Sequence, residues 1–168
     1  MGKGYTAKCM HCNYSEEFNL GVGFAYPYAY EENLKAVKEG RHGKRLKKFM
    51  QENPNGAIDP TIVLAHCPKC NRIETVPALS AYLPIQGYDP SKRERRRWST
   101  VMPCYDVDYI SPSDLHSNYS LVIQHEHHCS KCRTKVEIIT EDVQIEKLEI
   151  QCPQCGGHLT VKQDRFWD

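Results

Sequence analysis

Eight of the nine cysteines stand in four C-x-x-C pairs, Cys9/Cys12, Cys67/Cys70, Cys129/Cys132 and Cys152/Cys155, and Cys104 stands alone. Two chemistries use that spacing. A tight C-x-x-C turn offers two thiolates to one borderline-soft metal ion, and two such turns complete a tetrahedral set of four sulfurs. The same spacing builds a redox dithiol when it opens a helix that follows a strand. Here Cys155 is followed by Gly156, Gly157 and the alternating His158-Leu159-Thr160-Val161-Lys162, which reads as a strand. The pattern therefore predicts two structural zinc ions, held by Cys9, Cys12, Cys67, Cys70, Cys129, Cys132, Cys152 and Cys155. A closed four-thiolate site leaves no open coordination position, so no catalytic role is assigned to these cysteines.

The pairing of the four knuckles is open in three ways, an interleaved arrangement among them. Nineteen residues lie between Cys132 and Cys152, within the C-x2-C-x15–20-C-x2-C spacing of zinc sites, whereas 54 lie between Cys12 and Cys67 and require an insertion. Neighbour pairing closes the shorter loops and is preferred, although closure entropy rises slowly with length. The residue after the second cysteine must often reach positive φ, which Gly and Asn tolerate best; Asn13, Asn71 and Gly156 comply and Arg133 is the exception. Pro68 and Pro153 preset φ inside two of the turns.

These motifs carry a resemblance. CSKC at 129–132 with CPQCGGHL at 152–159 resembles a zinc ribbon, and KCMHCNY at 8–14 with HCPKCNR at 66–72 resembles a second, expanded ribbon or a rubredoxin-like site. More loosely, the chain is similar to uncharacterised bacterial proteins with several C-x-x-C pairs. The resemblance implies zinc and short antiparallel strands and brings no catalytic residue. CPKC at 67–70 and CPQC at 152–155 also resemble thioredoxin-like dithiols, which keeps a thiol redox enzyme as the alternative function.

Other chemistry-bearing residues read more plainly. His125-Glu126-His127-His128 does not match H-E-x-x-H and reads as solvated strand residues, with His128 or His66 able to replace an adjacent cysteine in a distorted site. Cys104, near Asp106 and Asp108, reads as a partly buried small hydrophobe. In Ser91-Lys92-Arg93-Glu94-Arg95-Arg96-Arg97-Trp98, Lys92, Arg93, Arg95, Arg96, Arg97 and Trp98 combine phosphate contact with a base-stacking ring, a composition that a charged linker shares.

The elements that must position these groups follow from patterning. Tyr5 to Lys8 and Tyr14 to Leu20 read as a hairpin around the first knuckle. In Gly21-Val22-Gly23-Phe24-Ala25-Tyr26-Pro27-Tyr28-Ala29-Tyr30 a large side chain alternates with a small one, which predicts an edge strand or extended arm whose rings pack inward, with an exposed stacking or partner surface as the alternative. Residues 31–38, ended by Gly40, and 44–52, ended by the Asn53-Pro54-Asn55-Gly56 turn, read as helices; Leu34, Val37, Leu46, Phe49 and Met50 form the inner face and the lysines and arginines the outer. Strands are expected at 61–65, 73–76, 121–128 and 136–140, with Ile145, Leu148 and Ile150 leading into Cys152.

Leu, Ile, Val and Phe make up about a fifth of the 168 residues, near the lower limit for a self-sufficient core, so metal is expected to supply folding energy. Net charge is +1, but residues 1–100 carry 16 Lys/Arg against 10 Asp/Glu and residues 101–168 carry 6 against 11, as in two modules with different surfaces. No apolar run suits a signal peptide or a bilayer span, which predicts a cytoplasmic protein without membrane contact. The expected fold is a small metal-stabilised, mainly β chain of two zinc-ribbon-like modules with an inserted α-helical segment. Residues 1–83 form the expanded module with helices at about 31–52, residues 84–118 an irregular connection, and residues 119–168 the C-terminal ribbon. The expected function is a non-enzymatic binding or adaptor protein contacting a protein or nucleic acid, or a structural subunit of a larger assembly.

Overall fold

The computed structural model describes residues 2–23, 25–93 and 108–167. In chain order the elements are β1 (Gly2–Cys9), β2 (Ser15–Leu20), α1 (Tyr26–Glu39), α2 (Lys44–Glu52), β3 (Ala57–Ile58), β4 (Ile62–His66), β5 (Ile73–Pro77), β6 (Ala81–Pro84), α3 (Pro112–Asn118), β7 (Tyr119–Ile123), β8 (Glu137–Ile139), α4 (Asp142–Glu146), β9 (Ile150–Gln151) and β10 (His158–Trp167). The chain is mainly β, with four α-helices among the described residues. It divides into two units: Met1–Gly23, Thr61–Ala78 and Glu126–Asp168 in the first, Phe24–Pro60 and Leu79–His125 in the second.

In the first unit the two ends of the chain are zipped together. Strand β10 alternates inward Leu159 and Val161 with exposed neighbours, and it lies antiparallel to β1 from Gly2↔Trp167 to Cys9↔Leu159, with a bulge between Gly4 and Tyr5. Strands β2 and β9 complete a sheet of order β2-β1-β10-β9. A second sheet runs β5-β4-β8, with His66 paired to Ile73 on one side and Glu137 on the other. Gly21, at φ 91, exchanges two backbone hydrogen bonds with Ile62 and so links the sheets. Tyr5, Ala7, Phe18, Leu20, Leu64, Ile139, Ile145, Ile150, Leu159 and Val161 form the core, in which the Tyr5 and Phe18 rings stack at 5.4 Å. The fully buried Tyr5 spends its O–H on Asp142 at 2.6 Å, and Lys3 donates to the other carboxylate oxygen, so Lys3 and then Tyr5 hold the Asp142 carboxyl below its usual range.

The second unit places α1, α2 and α3 with a β3-β6-β7 sheet. Within the aromatic stretch expected to be extended, Tyr26 to Tyr30 instead open α1. Pro27 lies in the first helical turn, where its missing N–H costs nothing, and the four-residue spacing of Tyr26 and Tyr30 puts both on one buried face. Arg41 N–H reaches Ala36 O and Gly40 N–H reaches Val37 O, with Gly40 at φ 89, closing α1 in a Schellman motif. Leu46, Phe49 and Met50 are the buried face of α2.

One further expectation changes. The strand into Cys129 ends at Ile123, because Glu126 to His128 run irregularly between an ion pair of Glu126 with Lys135 and an isolated His128↔Lys135 bridge. The stretch before Cys152 forms α4, which buries Ile145, and the two-residue β9. Residues 112–118 are helical, and the first unit draws on both ends and the middle of the chain because β1 must reach β10.

Candidate metal centres

Three of the four knuckles share one backbone pattern. The N–H of Cys67, Cys129 and Cys152 donates to the carbonyl five residues on, and the N–H four residues on donates back to the first cysteine's carbonyl, at 2.6–3.0 Å. The residue donating back sits at positive φ: Asn71 at 50, Arg133 at 60 and Gly156 at 74. Arg133, the exception by residue type, thus takes the same conformation as the others. The first knuckle keeps only half of this pattern: Cys9 N–H also donates to the carbonyl five residues on, Tyr14 O, at 2.9 Å, but Asn13 is not among the positive-φ residues, and His11 N–H donates to Cys9 Sγ at 3.3 Å.

Two four-sulfur sets result, Cys9 with Cys12, Cys152 and Cys155, and Cys67 with Cys70, Cys129 and Cys132, each with its sulfurs within 4.8 Å of one another. The sulfur separations are 3.5 Å for Cys9–Cys155, 3.6 Å for Cys12–Cys152, 3.4 Å for Cys67–Cys132 and 3.5 Å for Cys70–Cys129. A tetrahedral metal with bonds of about 2.3 Å to sulfur has edges of about 3.8 Å, so both sets fit one ion each; a disulfide would need about 2.05 Å. These contacts run between knuckles, and neither set presents a single C-x-x-C pair as an isolated dithiol.

The pairing is nested, first knuckle with fourth and second with third, which corrects the preference for neighbours. The C-terminal zinc ribbon of Cys129/Cys132 with Cys152/Cys155 therefore does not form. Strand pairing is the cause. Cys9 ends β1 opposite Leu159 of β10, just after the fourth knuckle, and Met10 N–H donates to His158 O at 3.3 Å. Likewise β4 leads into Cys67 beside β8, and the His128↔Lys135 bridge closes the turn that holds Cys129 and Cys132.

The two sets differ in cover. Cys67, Cys129 and Cys152 are buried, while Cys155 is exposed. The N–H of His11 holds the Cys9 thiol down to about 6, and the hydroxyl and N–H of Thr134 hold Cys132 down to about 6. Burial and neighbouring sulfurs push Cys70 up to about 12. Around the sulfurs, His66 Nε2 meets Asn71 Oδ1 at 2.7 Å, and Asn71 Nδ2 donates to Glu149 O at 2.9 Å, which ties the second knuckle to the segment entering the fourth. A Cβ on Gly157 would come within 2.6 Å of the His11 ring, so the second glycine of Cys-Gly-Gly seats the first knuckle on the fourth. That doublet was the sequence signal for the contact, since the turn itself needs only Gly156.

Neither His66 nor His128 belongs to either set, and His127 Nε2 instead faces Ala78 O at 3.1 Å. Burial lowers the His127 pKa from its ordinary value. The basic run is only partly in view. Lys92 pairs with Asp89 at 3.7 Å, and Arg93, its side chain 13% exposed, is bound to Asp108. Arg95, Arg96, Arg97, Trp98 and Cys104 lie outside the described residues.

No protein-family model, curated protein or solved structure matches the chain. Among the described residues no helix is long and apolar enough to cross a membrane.

Proposed function

We propose that this is a zinc-held, non-enzymatic binding or adaptor protein, in which two structural zinc ions brace the first unit and the chain's surfaces contact a protein or nucleic-acid partner. The observation that carries the reading is the closure of both sulfur sets: four thiolates fill a tetrahedral ion and leave no position for water or substrate. Zinc suits four thiolates without redox chemistry, and apparent affinities of about 10–16 kcal/mol per structural site are the scale of folding energy that an aliphatic-poor chain needs. Arg95, Arg96, Arg97 and Trp98, with Lys92, supply the composition for a nucleic-acid contact; Arg93 supports it less, being engaged by Asp108.

Metal analysis of the purified, reduced protein tests the first part. About two zinc ions per chain are expected; iron in their place, or a metal content near zero, overturns it. Recovery of the tagged protein from its own cells, with and without nuclease, tests the second. A nucleic-acid partner predicts salt-dependent retention that is lost on nuclease treatment and weakened by neutralising Arg95, Arg96 and Arg97. A protein partner predicts retention unaffected by nuclease, and recovery of no partner in either arm contradicts the adaptor reading.

A further inference from the structure

The second unit contains a cavity of about 320 Å³ whose lining includes none of the eight clustered cysteines, at the small end of the range for ligand sites. Its walls mix two chemistries. Leu34 and Ile110 with the rings of Tyr30 and Tyr119 are apolar, while among the described residues Lys38 and Arg93 bring two positive charges against the carboxylate of Asp108. Arg93 is largely withdrawn from solvent and uses Nη2 on Asp108 Oδ1, and the guanidinium fork has further donors beyond that bond. Lys38, exposed in the last turn of α1, has no ion-pair partner among the described residues. The Tyr119 hydroxyl is buried without a hydrogen-bond partner among the described residues, and burial raises its pKa to about 12, which keeps it a protonated donor.

Among the described residues, one carboxylate against two cations leaves the cavity lining one positive charge in excess. An exposed lysine on a flat surface would satisfy itself with water, but here it shares a concave wall with a mostly desolvated arginine. A charge-assisted contact in such a setting is stronger than one in open solvent. We propose that this cavity binds a small organic anion, one carboxylate or phosphate head on an apolar body, with Lys38 and Arg93 holding the head and Leu34, Ile110 and Tyr30 lining the body. The site is independent of the metal reading, because none of its residues belongs to the first unit.

The test uses the intact protein with its metal as purified, titrated by heteronuclear NMR with phenyl phosphate, phenylacetate, inorganic phosphate and benzyl alcohol. At least one aromatic anion should bind with a dissociation constant at or below about 1 mM and shift the amides of Lys38 and Ile110. Benzyl alcohol and inorganic phosphate should each bind at least about tenfold more weakly, since each lacks one half of the recognised chemistry. Lys38→Gln, a change on an exposed helical face, should leave the melting temperature and metal content unchanged and weaken the anion at least about fivefold. Lys38→Arg should restore binding. The proposal is overturned if neither aromatic anion binds, if benzyl alcohol or inorganic phosphate binds as well as they do, or if Lys38→Gln binds like the parent.

Discussion

Arg133 sits at φ 60 just after Cys132, in the position that Asn71 and Gly156 occupy in two sister knuckles. A side chain with a Cβ carries a steric penalty in this region that glycine does not, although glycine gives back part of the gain through the unfolded chain. Arg133→Gly is therefore expected to raise stability by about 0.5–1 kcal/mol, read from urea denaturation of the metal-loaded protein. A loss of that size would mean that the Arg133 side chain makes a stabilising contact that outweighs the strain. At this scale the sequence was informative. Cysteine spacing identified the sulfurs that cluster, because two thiolates from one tight turn is a local property. What it left unassigned were residues acting across the chain, such as His11 against Gly157 and Asn71 against Glu149, since such contacts depend on elements far apart in sequence.

Among the elements, α1 shows where local pattern misleads. Tyr26 and Tyr30 are four apart, a spacing that places both on one face in a helix and also in a strand, so alternation from Val22 to Tyr30 could not decide between them. Tyr28 separates the two conformations: a strand would bury it with its neighbours, whereas in α1 it is only half-buried while Tyr30 is 2% exposed. Tyr30→Ala should thus cost about 3–5 kcal/mol by thermal or urea unfolding, and Tyr28→Ala no more than about 1 kcal/mol. Equal costs would support the extended arm. Pro27 could not decide either, since proline within the first turn of a helix is as ordinary as proline on an edge strand. The helix ends were more legible, because Gly40 answers a backbone need that few other residues meet.

At the scale of the molecule, connectivity decides the metal sites. The nested arrangement encloses 139 residues between Cys12 and Cys152 and 58 between Cys70 and Cys129, against 54 and 19 for neighbours. The extra closure entropy amounts to about 2 kcal/mol, and the long β1–β10 ladder, which has no counterpart in the neighbour arrangement, offsets it. Loop length was the only quantity that the sequence offered for this choice, and it points the wrong way. A mainly β chain with two four-cysteine clusters was legible; that its outermost knuckles meet was not, because a strand does not carry its partner's identity in its own pattern.

Two double variants measured side by side by native mass spectrometry test this connectivity most directly. In Cys9→Ser/Cys155→Ser both changes fall in one sulfur set, and about one metal ion per chain should remain. In Cys9→Ser/Cys70→Ser one change falls in each set, and both ions should be weakened or lost. Neighbour pairing predicts the reverse order, so more metal retained by Cys9→Ser/Cys70→Ser than by Cys9→Ser/Cys155→Ser would contradict the nested account.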